Sequence, residues 1–312
     1  MSLAFVFPGQ GSQYIGMGKE FYDTFSVARE IYDLADKALG FSISELCFGG
    51  PEEVLGQTIN TQPALLTTSM ACLAVLRQEG IVPQVVAGHS LGEYSALVAA
   101  GSLSFVDAVQ IVRKRGQLMQ EAVPPGGGAM AAVLGIESNV LLDVVKLSSD
   151  IGVVEVVNFN CPGQLVIAGE TEALGKAIKL AKEAGARRAI KLAVSGPFHS
   201  SLMRPAGEKL GRELDTVTVK EPEIKIVANI SADYVTNAAE IKNSLIRQIY
   251  GPVRWEETVI RMIEDGVDTF VEVGPGKVLS GLIKKINREV RIHNVGDQAS
   301  LEKALAHLKE VS

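Results

Sequence analysis

Short apolar runs alternate with amphipathic stretches along most of this chain. Leu3–Phe7 reads as a buried strand, and Phe21, Phe25, Ala28, Ile31, Tyr32 and Ala35 recur at helical spacing within 20–39. A second apolar helix is expected over 63–79, opened by Pro63 and ended by Gly80 and Pro83. Val85-Val86-Ala87 is a strand, Glu93 to Ala100 a helix with Gly101 at its C-terminal cap, and 105–120 a helix capped by Ser104. The pattern changes after Pro124-Pro125-Gly126-Gly127-Gly128. Strands at 129–134, 153–157, 164–168 and 189–194 are separated by helices at 138–147 and 171–184, with a turn containing Asn160, Pro162 and Gly163. That order, β-α-β-β-α-β, is ferredoxin-like. Strand–helix alternation resumes at Gly196-Pro197 and runs to a terminal helix over 301–311. The expected architecture is therefore α/β: residues 1–125 and 196–312 form a large domain with a mostly parallel sheet, and 126–195 a smaller inserted subdomain.

Composition narrows the function classes. The chain has 312 residues, 47% hydrophobic and 21% charged, ample for a core. A net charge of −6 gives no general basic surface, so nucleic acid is not an expected partner. No apolar run in the sequence suggests a membrane span, and the N-terminus lacks the basic region of a signal peptide. Cys47, Cys72 and Cys161 are widely spaced with no C-x-x-C, which fits small buried residues in a reducing cytoplasm rather than disulfides or a thiolate metal site.

The chemistry centres on Gly88-His89-Ser90-Leu91-Gly92, a G-x-S-x-G between strand and helix. This context makes Ser90 a candidate nucleophile held on a tight turn at a helix N-terminus. A serine needs a base, and four histidines are available. His89 points away from its neighbour in such a turn, His293 lies in an alternating strand, and His307 is on the terminal helix. His199, in the Gly-Pro loop Val194-Ser195-Gly196-Pro197-Phe198-His199-Ser200, is left by elimination. No carboxylate stands out as a third member; either a surface-set acid or a backbone carbonyl orients the imidazole. For an oxyanion, the Leu91 N–H supplies one donor, and the Gly9-Gln10-Gly11 loop after the first strand is the candidate for the second. That loop is not a dinucleotide fingerprint, because Tyr14 occupies the third glycine position.

FPGQGSQ, GHSLGEYSAL, RGQLMQEAVPPGGGAM, GPFHSSLM, QIYGPVRW and EVGPGKVLSGLIKK follow one another along the chain. In this order they resemble the malonyl-CoA:acyl carrier protein transacylases over nearly the whole length. The resemblance implies an α/β-hydrolase-like large domain with a ferredoxin-like insertion. It implies that Ser90 carries a malonyl ester, that His199 is the base, and that the N–H groups of Gln10 and Leu91 form the oxyanion hole. By the same resemblance the main-chain carbonyl of Gln248 orients the histidine, Arg115 binds the malonyl carboxylate, Phe198 crowds the malonyl α-carbon, and Asn160 faces the cleft. From the residues alone, Arg113-Lys114-Arg115 would be a solvated helix face. An inward guanidinium, however, can meet a carboxylate with two parallel hydrogen bonds. The expected partners are malonyl-CoA and acyl carrier protein, with no cofactor and no metal, and the chain is expected to act as a monomer. A serine hydrolase on the same scaffold and a non-catalytic module that docks acyl carrier protein are the rival readings.

Overall fold

The computed structural model of the protein describes residues 2–124, 126–194 and 196–309. Ten strands are found among these residues: β1 (Leu3–Phe7), β2 (Val85–Gly88), β3 (Gly128–Leu134), β4 (Val154–Cys161), β5 (Gln164–Glu170), β6 (Arg188–Lys191), β7 (Lys225–Val227), β8 (Tyr234–Val235), β9 (Thr269–Val273) and β10 (Arg291–Val295). They form two sheets. The larger has the order β10-β9-β1-β2-β7-β8 and is parallel except for the β7–β8 hairpin. The smaller has the order β4-β5-β3-β6 and is antiparallel throughout. With helices Ser138–Ser148 and Thr171–Glu183 after its first and third strands, the smaller sheet is the ferredoxin-like unit expected. The boundaries expected at 125/126 and 195/196 fall on Pro125 and Ser195, which lie outside the described residues, as does Val311 of the expected terminal helix.

The central strands are buried on both faces because helices cover both. Leu3, Phe5 and Phe7 of β1 point into one core, while Ala4 and Val6 point into another with Phe270, Trp255 and Leu279. The small sheet is sided differently. Ala131, Val133, Leu165 and Ile167 pack under its two helices. Met130, Val166 and Ala168, at the alternate positions, face the large core. The two units also join through the backbone: the Phe159 N–H donates to Val253 O and the Val253 N–H to Val157 O, both at 2.9 Å.

Several boundaries differ from the sequence reading. The helix expected over 20–39 is two, Lys19–Thr24 and Ser26–Leu39, because Phe25 is extended and turns its ring edge-on to Phe21. The helix expected to open at Pro63 opens at Thr58: the Gln57 carbonyl accepts the N–H groups of Asn60 and Thr61, and Pro63 sits in the second turn. By length and composition alone this helix, Thr58–Gln78, is long and apolar enough to cross a membrane. It is the core helix of the fold, with 89% of its most apolar 18-residue stretch buried. Strand β4 runs on to Cys161, so Asn160 lies in a strand rather than a turn. Short helices at Ile43–Gly49 and Glu52–Leu55 were not expected.

Candidate active site

Strands β1 and β2 are neighbours in parallel register, Phe7 opposite Gly88, so the loops leaving their carboxyl ends emerge side by side. One carries Gln10 and the other Ser90. The elbow at Ser90 is as tight as the motif requires. A Cβ on Gly88 would lie 1.9 Å from the Gly92 carbonyl, and one on Gly92 would lie 2.0 Å from Phe7 O. Ser90 itself has φ 52°, a left-handed backbone that costs about 1–3 kcal/mol and persists only where the surroundings enforce it. Here its N–H donates to Asn229 Oδ1 at 2.7 Å, and its carbonyl accepts from Gln248 Nε2 at 3.0 Å. Asn229 in turn holds the Gly88 carbonyl at 2.6 Å.

His199 reaches the serine from a loop of equal strain, φ 65°. Its Nε2 lies 2.8 Å from Ser90 Oγ, and its Nδ1 lies 2.7 Å from the main-chain oxygen of Gln248. A carbonyl only accepts, so Nδ1 carries the hydrogen and Nε2 is the free base facing the hydroxyl. Gln248 is the penultimate residue of helix Ala238–Ile249, where carbonyls lack intrahelical partners. Of the two options left open for orienting the imidazole, the backbone carbonyl is the one in place. Burial, and secondarily the Arg115 charge, hold the His199 pKa down to about 3 against the pull of the Gln248 carbonyl, so the ring is neutral at physiological pH.

Arg115 is the inward member of Arg113-Lys114-Arg115. Arg113 lies over the Phe41 ring and Lys114 faces Glu213, whereas Arg115 is 1% exposed. Successive helical residues are rotated by about 100°, so one of three consecutive positions can face the core. Its guanidinium donates to Gln62 Oε1 at 2.8 Å, Gln248 Oε1 at 2.9 Å and Ser90 Oγ at 3.1 Å. Every one of these acceptors is neutral, and Nε has no acceptor among the described residues. A buried cation thus stands beside the serine hydroxyl without a carboxylate bonded to it. Burial lowers its pKa, as Tyr94 and Glu93 act to raise it.

Gln10 and Leu91 line the same cavity. Gly11 N–H is taken by Gln13 Oε1, and the Gln10 side chain donates to Thr58 Oγ1, but among the described residues neither the Gln10 nor the Leu91 N–H finds an acceptor in the chain. The cavity, about 200 Å³, lies between the two sheets. Phe198, 5% exposed, forms its wall beside His199, and Met130, Val166, Leu192 and Val194 supply the opposite side. Asn160 also lines it, but its Oδ1 is engaged with His89 Nε2 at 2.8 Å, so His89 faces away from the serine and ties the small sheet to the elbow. His293 and His307 lie elsewhere, ring against ring at 5.4 Å. Among the described residues no group of three or more His, Cys, Asp or Glu is placed to hold a metal ion.

Sequence reasoning missed Gln62, Asn229, Glu93 and the side chain of Gln248. Glu93 is buried three residues after Ser90, and its Oε2 accepts from Asn229 N–H and Gln248 Nε2, each at 2.9 Å. A lone acid on an otherwise apolar helix was a readable signal. Gln62, Asn229 and the Gln248 side chain come from distant elements and had none.

A serine on a strained strand-to-helix elbow and a neutral histidine at its hydroxyl, with Gln10 and Leu91 lining the same cavity, fit acyl transfer through a covalent ester. The chain matches the Acyl transferase domain family over residues 4–303 and belongs to that family. Its relatives are more particular. It is 53% identical over 309 residues to the malonyl CoA-acyl carrier protein transacylase of Bacillus subtilis (strain 168), covering 99% of this chain and 98% of that one. The crystal structure of malonyl CoA-acyl carrier protein transacylase from Clostridium perfringens superposes with a TM-score of 0.97 at 46% identity, covering 100% of this chain and 98% of that one. A malonyl-transacylase solved in complex with a type II PKS acyl-carrier protein superposes with a TM-score of 0.96 at 45% identity, covering 98% and 99%.

Proposed function

We propose that this acyltransferase moves the malonyl group from malonyl-CoA to the phosphopantetheine thiol of acyl carrier protein, through an ester on Ser90, to supply fatty acid or polyketide chain extension. The observation that carries the reading is Arg115, a buried guanidinium 3.1 Å from Ser90 Oγ with only neutral acceptors. An acyl group ending in a carboxylate offers it two charge-assisted hydrogen bonds, whereas an acetyl group offers none.

His199 Nε2 takes the Ser90 proton as Oγ attacks the thioester carbon. The N–H groups of Gln10 and Leu91 hold the oxyanion, and collapse of the tetrahedral adduct expels CoA thiolate, which His199 protonates. The carrier thiol then enters, gives its proton to His199 and attacks the serine ester; the thioester forms and Ser90 Oγ recovers the proton. The kinetics are ping-pong and the reactive groups are all supplied by substrates and side chains, with no cofactor. Phe198 narrows the space at the malonyl α-carbon and disfavours a methyl branch there. Residues 126–195 act as a subdomain inserted into 1–125 and 196–312, and their sheet closes the cleft against water. The protein acts as a monomer in a reducing cytoplasm, the latter reading supported by three buried, free cysteines.

Intact-mass spectrometry after brief exposure to malonyl-CoA tests the proposal. One malonyl adduct is expected, absent in Ser90→Ala and discharged by phosphopantetheinylated carrier protein. Release of free malonate at the rate of CoA release would instead make the protein a hydrolase.

A further inference from the structure

Glu93 has no role in the chemistry just described, yet it is buried and touches the residues that hold both Ser90 and Arg115. Its Oε2 accepts from Gln248 Nε2, and Gln248 Oε1 accepts from Arg115. The amide of Gln248 is thus a one-residue bridge between a buried acid and a buried cation that do not touch. The same acid accepts the Asn229 N–H, so it also anchors the residue that holds the Ser90 backbone.

We propose that Glu93 is a positioning residue and the counter-charge of the acyl pocket, competing through Gln248 with the incoming acyl carboxylate for Arg115 and taking up a proton from solvent when that carboxylate docks. This rests on the malonyl reading above. With the pocket free of substrate, one cation faces one acid across an amide and the charges balance. A malonyl carboxylate on Arg115 makes two anions to one buried cation, and in a water-poor interior the cheaper state is the one in which Glu93 is neutral. Protonation leaves one Oε free to accept as before, so the bridge to Gln248 survives.

The surroundings leave Glu93 free to switch. Arg115, from helix Phe105–Glu121, is the charge that acts on it, and Tyr94 adjoins it on its own helix. His199, joined to it through Gln248, stays neutral, and Arg77 from helix Thr58–Gln78 caps the far end of the Glu93 helix at Ala99 O. Burial raises the Glu93 pKa to about 7, opposed by the Asn229 and Gln248 donors and by Arg115. The carboxyl therefore changes charge within the working pH range, while the malonyl carboxylate stays ionised throughout it.

The test measures the KM for malonyl-CoA and for acetyl-CoA in Ser90 acylation at pH 6.0 and 8.5, in wild type and Glu93→Gln, which keeps an acceptor for both donors. In wild type the malonyl KM is expected to rise on the order of fivefold between the two pH values, with no matching rise for acetyl-CoA. In Glu93→Gln the malonyl KM should stay near its low-pH value. A malonyl-specific rise that persists in Glu93→Gln overturns the proposal, as does a wild-type KM that does not change with pH. Should the variant fold poorly, the wild type alone decides by a pH-indicator dye in dilute buffer at pH 7: proton uptake on malonylation, absent on acetylation, supports it, and equal uptake overturns it. Absence of any malonyl ester would overturn the functional reading itself, whereas an ester formed with pH-independent KM overturns this proposal alone.

Discussion

On the Ser90 side of the cleft the backbone occupies conformations that few residues accept, and each is pinned by a long-range hydrogen bond; on the opposite side a regular antiparallel sheet presents Met130 and Val166 in ordinary strand geometry. One wall is defined atom by atom, with Cβ atoms excluded at Gly88 and Gly92 and three distant side chains, Asn229, Gln248 and Arg115, converging on a single serine. The other wall is defined by alternation, its outer face buried under two helices and its inner face mainly apolar, with Asn160 engaged by His89. On the proposed function, chemistry and containment fall to different walls. A transition state needs fixed donors at fixed distances, whereas keeping water from an ester needs only a well-packed apolar surface.

Breaking the precise wall should have the largest effects. Ser90→Ala is expected to lower malonyl transfer by about 10⁴-fold or more, measured as kcat/KM, with folding unchanged by circular dichroism. Next comes Arg115→Ala, which should cost roughly 10²- to 10³-fold in kcat/KM for malonyl-CoA while raising relative acceptance of acetyl-CoA; unchanged selectivity would remove the carboxylate clamp.

Stability measurements sharpen the same contrast. Gly92→Ala places a methyl against Phe7 O and should destabilise by about 3 kcal/mol in denaturant unfolding. Val166→Ala in the facing sheet should cost about 1–2 kcal/mol and shift KM by no more than a few-fold. Equal sensitivity at the two positions would refute the distinction.

The smallest expected change is in the acid limb. Because His199 is held at about 3, kcat at saturating malonyl-CoA should vary less than about twofold between pH 7.5 and 5.5. A limb centred near 6.5 would mean that the ring is not desolvated as described. The sign for folding follows: a histidine whose folded pKa lies below its unfolded value of about 6.5 contributes stability relative to the acid state above 6.5, and that contribution is lost progressively as pH falls toward 3.

How much of this was legible in sequence depended on distance along the chain. The elbow was, because strand, G-x-S-x-G and helix are contiguous. His199 was reachable because only four histidines had to be sorted. The sheet alternation and the β-α-β-β-α-β order followed from local periodicity. The supports of the elbow were not legible: Asn229 and Gln248 lie 139 and 158 residues from Ser90, and nothing local distinguishes them from any other amide. Arg115 shows a further limit. Three adjacent basic residues look alike in sequence, and only packing decides that the third turns inward. Pro63 misled for a physical reason as well, since proline favours the first turn of a helix, whereas here it sits inside a helix that opens at Thr58.

The acceptor at His199 Nδ1 is part of the main chain, and this makes it invisible to genetics. No codon change at position 248 deletes that oxygen. A complete substitution scan would score Gln248 by its amide alone, and a family survey of side chains would find a dyad with no third member. The acceptor would yield only to backbone editing: replacing the peptide link between residues 248 and 249 with an ester weakens that carbonyl and leaves every side chain in place. Where a histidine's partner is written into the polypeptide itself, it is inherited with the helix end that presents it, and drift in sequence cannot erase it without moving the fold.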